Sequence, residues 1–268
     1  MKDIELYIPE QLKSYKEDIL KSLKPTLKMT GKVGTTELWG SKIGGDPYLL
    51  IGEELPKNKQ GEALRLLAQI NFEDVPHIDS MPTQGILQFF VDATDDLVGA
   101  DFDNPTTQEG FRVIYRQDII KDKSKLVTEF NYDIGEDEEE FISPLEAELV
   151  FEERLQPVTT CDYRFGSEFL VGFEGEKEVQ DGDRTVELWE LYVDHMSNIG
   201  HRIGGYPFFT QYDPRDEGSK YDTLLLQIDT DDDLGIMWGD SGVANFFINK
   251  DDLARLDFSD VLYNWDCF

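Results

Sequence analysis

Basic residues are what this chain has least of. Lysine and arginine together number 25 against 56 aspartates and glutamates in 268 residues, a formal net charge of −31. Nucleic-acid binding needs cations that displace the counterions of phosphates, so that class of partner is excluded. Anionic membrane surfaces are disfavoured on the same ground. Long apolar runs are missing too, and nothing approaches the roughly 18 residues that a spanning helix needs. Only two cysteines occur, Cys161 and Cys267, in no metal-ligand spacing, which leaves neither a disulfide framework nor a zinc site to expect. The three histidines, His77, His195 and His201, form no His-Glu-x-x-His pattern, and no Gly-x-Ser-x-Gly elbow is present. Met1-Lys2-Asp3-Ile4-Glu5 lacks the apolar core and small-residue cleavage site of a signal peptide, so the expected location is the cytoplasm. Together these gaps point away from an enzyme.

What remains is enough for a folded core, since 40% of the residues are hydrophobic and 12% aromatic. The charge attracts cations and basic proteins, with association sped by long-range steering that salt weakens. The same charge also serves solubility.

The chain reads as if written twice. Ser41-Lys42-Ile43-Gly44-Gly45-Asp46-Pro47-Tyr48 returns as His201-Arg202-Ile203-Gly204-Gly205-Tyr206-Pro207-Phe208. Leu66-Leu67-Ala68-Gln69-Ile70-Asn71 returns as Leu224-Leu225-Leu226-Gln227-Ile228-Asp229, and Gly85 to Asp92 as Gly242 to Asn249. Asp95-Asp96-Leu97 then matches Asp251-Asp252-Leu253, and Val113 to Asp118 matches Val261 to Asp266. Five blocks in one order imply a duplicated unit, 41–118 and 201–266, separated by 119–200. The expectation is one α+β domain over 1–268, strand-rich, with two related halves about a pseudo-twofold axis and an N-terminal helix.

Pro9 to Leu23 predicts that helix, with Leu12, Tyr15, Ile19 and Leu23 on one stripe and Pro25 as its stop. Thr35 to Trp39, Leu64 to Ile70, Ile86 to Val91, Phe111 to Tyr115, Lys125 to Tyr132 and Ala147 to Glu153 predict strands. The acidic run Glu136 to Glu140 predicts a solvated loop, and Arg184 to Met196 a helix with Val186, Trp189, Val193 and Met196 inward. Gly239 to Gly242 predicts a tight hairpin that begins where Trp238 ends a strand.

The candidate functional residues follow from the repeats. In each Ile-Gly-Gly-x-Pro element, Gly44 and Gly45 or Gly204 and Gly205 permit positive φ, which suits a rigid turn or a backbone nest for an anion. His201 stands where the first copy has Ser41, and beside Asp229 or Asp240 it has the chemistry of an acid or base. Trp238 and Asp240 suit a recognition surface, or Trp238 the core. Asp229, Asp231 and Asp233 alternate as calcium ligands do, but Leu234 and Asp240 replace the glycine and glutamate that a calcium loop requires at its sixth and twelfth places.

His201 to Pro207, Leu224 to Asp229 and Gly235-Ile236-Met237-Trp238-Gly239-Asp240-Ser241-Gly242 leading into Phe246-Phe247-Ile248 resemble the YwqG-like family of bacterial proteins of unknown function. The opening helix and Ser41 to Pro47 resemble it as well. The resemblance implies a two-repeat α+β fold, bacterial cytosolic residence and no established activity or catalytic residue. Association of similar proteins with polymorphic toxin loci implies an immunity or antitoxin role. Two functions are therefore expected of the chain: an acidic module that binds a basic protein, or a small-ligand site or enzyme in a crevice between the halves, lined by the Gly-Gly turns, His201, Trp238 and Asp240.

Overall fold

In the computed structural model of the chain, residues 6–94, 96–130, 145–197 and 199–268 are described. The acidic run 136–140 lies outside them, as do Asp95 and Tyr132.

A single antiparallel sheet of ten strands organises the molecule. At its centre β1 (Lys24–Val33) pairs with a strand from far along the chain, β6 (Ala147–Gln156), over their whole length, from Lys24↔Gln156 to Val33↔Ala147. On the β6 side follow β2 (Lys42–Ile43), β3 (Arg65–Asn71), β4 (Ile86–Val91) and β5 (Phe111–Arg116). On the β1 side follow β9 (Arg202–Gly204), β10 (Thr223–Asp229), β11 (Val243–Ile248) and β12 (Val261–Asp266). The two wings match in detail. Register shifts fall between Leu66 and Ala68 in β3 and between Leu224 and Leu226 in β10, at positions that the repeated blocks align.

The sheet curls until it is nearly closed. Phe89 of β4 meets Phe246 of β11 edge-on at 5.0 Å, and Phe111 of β5 lies 5.1 Å from Tyr263 of β12. Tyr263 N–H donates to Pro105 O at 2.9 Å, which ties a loop of the first wing to the last strand. One large core fills the inside, running from Leu27 and Met29 through Phe89 to Phe246 and Tyr263. Smaller clusters cover the outer faces, Phe209, Leu224, Phe247 and Leu262 on one wing and Leu64, Leu66 and Phe90 on the other. Strands β4 and β11 are therefore buried at every position, which is why they read as continuous apolar runs rather than alternations.

Helices are short and marginal: α1 (Lys16–Lys21), α2 (Leu188–Met196) and α3 (Lys250–Ala254). A two-stranded hairpin of β7 (Glu178–Asp181) and β8 (Arg184–Glu187) stands apart from the main sheet. Among the described residues no helix is long and apolar enough to cross a membrane.

Several local expectations are corrected. The N-terminal helix begins as a 3-10 turn, Glu10–Tyr15, before α1, and it stops because β1 starts at Lys24. Pro25 lies inside that strand, tolerated because the β9 ladder begins only at Thr26. Thr35 to Trp39 is not a strand: Thr36 turns inward, its N–H and hydroxyl bonding the Glu146 carboxylate at 3.1 and 2.6 Å. Lys125 to Phe130 makes only a bridge, Leu126 to Leu50. Arg184 to Met196 divides into β8 and α2, and the buried face of α2 is Leu188, Leu191, Tyr192 and Met196, with Trp189 turned out. Trp238 lies in an irregular segment, although Gly242 N–H does close a turn onto its carbonyl at 2.7 Å.

Candidate functional site

The two Gly-Gly turns are built alike. Gly44 and Gly45 have φ of 64° and 69°, Gly204 and Gly205 φ of 69° and 71°, all in the left-handed region that a side chain disfavours. Space forbids a side chain as well. A Cβ on Gly45 would lie 2.6 Å from Glu146, and one on Gly205 would run into Gln156. The first turn encloses a cation rather than an anion nest. Lys42, 1% exposed, donates from Nζ to Asp46 O at 2.8 Å and to Glu146 Oε1 at 3.2 Å. Burial pulls its amine below the usual lysine range, with Glu146 pulling back. At the second turn Arg202 takes that place, donating to Ile199 O at 2.8 Å. Its guanidinium is pulled down to about 10 by burial.

His201 proves to be a cap. Its Nδ1 accepts the Asp229 N–H at 3.0 Å, so the proton sits on Nε2, which faces Asp231 Oδ2 at 3.3 Å. In the first wing Ser41 Oγ accepts the matching Asn71 N–H at 2.9 Å. Burial pushes the His201 pKa down, holding the ring neutral with both nitrogens engaged. Gln69 and Gln227 play one further shared part, accepting the Tyr48 and Phe208 N–H groups at 2.8 and 2.7 Å and donating to Gly40 O and Gly200 O.

The other residues singled out by sequence scatter. Trp238 is fully buried in the core, 6.0 Å from Trp265, and its Nε1 has no hydrogen-bond partner among the described residues. Asp240 is exposed in a turn. The Asp229 carboxylate accepts Gly200 N–H at 2.6 Å and Thr230 N–H at 2.9 Å, and Asp231 accepts Asp233 N–H at 3.0 Å. Those oxygens hold turns. Among the described residues no group of three or more His, Cys, Asp or Glu side chains is placed to hold a metal ion.

Two constellations had no repeat to announce them. The first is a buried ion knot: Arg215, fully enclosed, bridges Asp162 at 3.1 Å and Asp213 at 2.7 Å, while Arg164 chelates Asp162 with two contacts of 2.7 Å. Burial would raise the Asp162 carboxyl, but the two guanidiniums hold it below the ordinary range. Arg215 also lies over the Phe247 ring at 3.9 Å, pinning the segment after β6 to the second wing. Every charge in the knot is paired, so it reads as structure.

The second is a surface groove of about 780 Å³ beside α2. Trp189, 42% exposed, forms its floor with Phe173. The Trp189 backbone N–H donates to Gly175 O at 2.9 Å, which anchors the main chain there, and the indole ring meets Phe165 edge-on at 5.7 Å. Glu174, Glu176 and Glu187 line the groove with one cation, Lys177, whose Nζ lies 3.7 Å from Glu174. Among the described residues no basic side chain comes within 4.0 Å of Glu176 or Glu187. The arrangement offers an aromatic face bordered by three carboxylates, one of them shared with Lys177, the surroundings that hold a lysine or arginine side chain.

A family model described as a domain of unknown function, DUF1963, matches residues 41–267. Comparison with curated proteins gives no match.

Proposed function

Since this chain belongs to the DUF1963 family, a domain of unknown function, we propose from its own chemistry that it is an acidic protein-binding module for a basic partner. The observation that carries the reading is the Trp189 groove: a half-exposed aromatic beside Glu176 and Glu187, which have no ion pair among the described residues, on a chain of net charge −31. Aromatic anchors supply affinity at interfaces, and complementary charge supplies on-rate and selectivity. Within the same reading the protein is YwqG-like, bacterial and cytoplasmic, with an immunity or antitoxin-type role in which its acidic face covers a basic region of a toxin. It forms one domain whose halves are a pseudo-twofold duplication. Support for the duplication comes from the paired bulges, the paired Gly-Gly turns and the shared amide caps of Ser41 and His201.

The test is titration with a lysine- and arginine-rich peptide, followed by Trp fluorescence, from about 50 mM to about 500 mM salt. Binding that weakens by about tenfold or more across that range, and that Trp189→Ala abolishes without loss of thermal stability, is the expected result. Binding indifferent to salt, or undiminished in Trp189→Ala, overturns the reading.

A further inference from the structure

The two wings meet at two junctions, and the repeat makes them comparable. At the first, the turn around Leu97 in the first wing meets β12 of the second. There Trp265 donates from Nε1 to Leu97 O at 2.7 Å, tilts over Phe102 at 6.3 Å and meets Trp238 at 6.0 Å. Large aromatic rings fill that junction. At the second, the matching helix α3 meets the 79–84 loop and Tyr115 of β5. In the aligned block Gln117 stands where Trp265 stands in the other. The loop that matches the Trp238 segment carries Ser80 and Met81 instead. The second junction stays open as a cleft of about 410 Å³, lined by both wings and by none of the candidate functional residues that the sequence offered.

We infer that this cleft binds a small zwitterion with an apolar body, an α-amino acid or dipeptide. Its volume lies in the range of small-ligand sites, about 300–1,000 Å³. Met81, Leu253 and Leu256 give it an apolar wall, and Thr223 and Tyr115 add hydroxyls. Two residues of opposite charge line its rim: Lys250 has no carboxylate within 4.0 Å among the described residues, and Asp79, exposed to solvent, has the His77 imidazole at 3.9 Å. A free anion would be drawn to Lys250 but repelled by the field of a −31 chain, whereas a zwitterion feels no such net repulsion. Its carboxylate goes to Lys250, its ammonium to Asp79, and its side chain to the Met81 and Leu253 wall. The cleft shares no residue with the Trp189 groove, so the inference does not depend on a basic partner.

The test uses the full chain, labelled for two-dimensional NMR, with L-phenylalanine as probe. Phenylacetate, phenethylamine and glycine each remove one feature of it. The expected result is saturable shifts at the Thr223, Lys250 and Leu253 amides from L-phenylalanine, with each stripped probe weaker by about tenfold or more. Ala254→Trp fills the cleft from an exposed position and abolishes the shifts, and Leu256→Trp serves the same end where Ala254→Trp lowers the melting temperature. Absence of saturable shifts with L-phenylalanine, L-leucine and Leu-Leu overturns the inference, as do shifts undiminished in both filled variants. Phenylacetate bound as tightly as L-phenylalanine overturns the zwitterion assignment and leaves an anion cleft.

Discussion

At the scale of single residues, the polar groups that looked chemical serve backbone amides. Ser41 and His201 differ in every property except an acceptor placed for the same N–H, that of Asn71 or Asp229. A buried N–H without an acceptor costs about 1–3 kcal/mol. Ser41→Ala and His201→Leu are each expected to destabilise the fold by about that amount in urea melts, and an unchanged midpoint in either would deny the cap. Lys24 shows the opposite economy. Its amine lies over the Tyr206 ring at 4.5 Å, with no ion pair among the described residues, and is pulled down to about 8 from 10.5 by burial, with Arg164 adding to the effect. Between pH 8 and 10.5 the unfolded chain holds more protons than the folded one, so stability rises with pH through that window and the penalty is fully felt below it. Lys24→Met is expected to stabilise the fold at pH 7 by about 1–2 kcal/mol, after a discount for screening at a partly exposed site. The gain should vanish above pH 10.5, which urea midpoints at the two pH values would show.

At the scale of elements, apolar runs were legible and their neighbours were not. Strands β3, β4, β5, β10, β11 and β12 stand where repeated apolar blocks placed them, to within a residue or two. The central strand β1 is masked in the sequence by Pro25, which has the form of a helix stop, although Leu27 and Met29 alternate with exposed Lys28, Thr30 and Lys32. Helix α2 was displaced because Val186, which extended the helical stripe, belongs to β8. The Gly-Gly turns were legible as turns, and the structure adds why both glycines are needed. Gly45→Ala is expected to cost about 1–3 kcal/mol, from its φ of 69° together with the Glu146 clash. Gly52→Ala, also at positive φ but facing open space, should cost less. Equal losses in thermal melts would mean that crowding by Glu146 adds nothing.

At the scale of the whole molecule, charge and shape act together. The excess of acidic residues sets a long-range field that favours cationic partners and repels anions from every surface. The nearly closed sheet leaves few concave places, and the two described above differ in kind: an acidic aromatic groove on the segment between the wings, and a mixed-charge cleft at their junction. Replacing Glu174, Glu176 and Glu187 by glutamine should slow association with a basic peptide and flatten its salt dependence, while Trp189→Ala should act mainly through dissociation. Stopped-flow rates at two salt concentrations separate these effects, and an unchanged association rate in the triple variant would remove the groove's carboxylates from the encounter.

By itself the sequence determined the net charge, the repeated blocks, the apolar strands and the glycine turns, because each depends on residue type and local spacing. Only the tertiary structure decided that β1 and β6 pair with each other and that each then borders the opposite wing, since backbone ladders carry no label of their partner. It also decided that His201 caps the Asp229 amide, that Trp238 is core and Trp189 surface, and that one junction is filled by Trp265 while the other is open. Those outcomes depend on what lies across a contact between residues far apart in the chain, which no local pattern records.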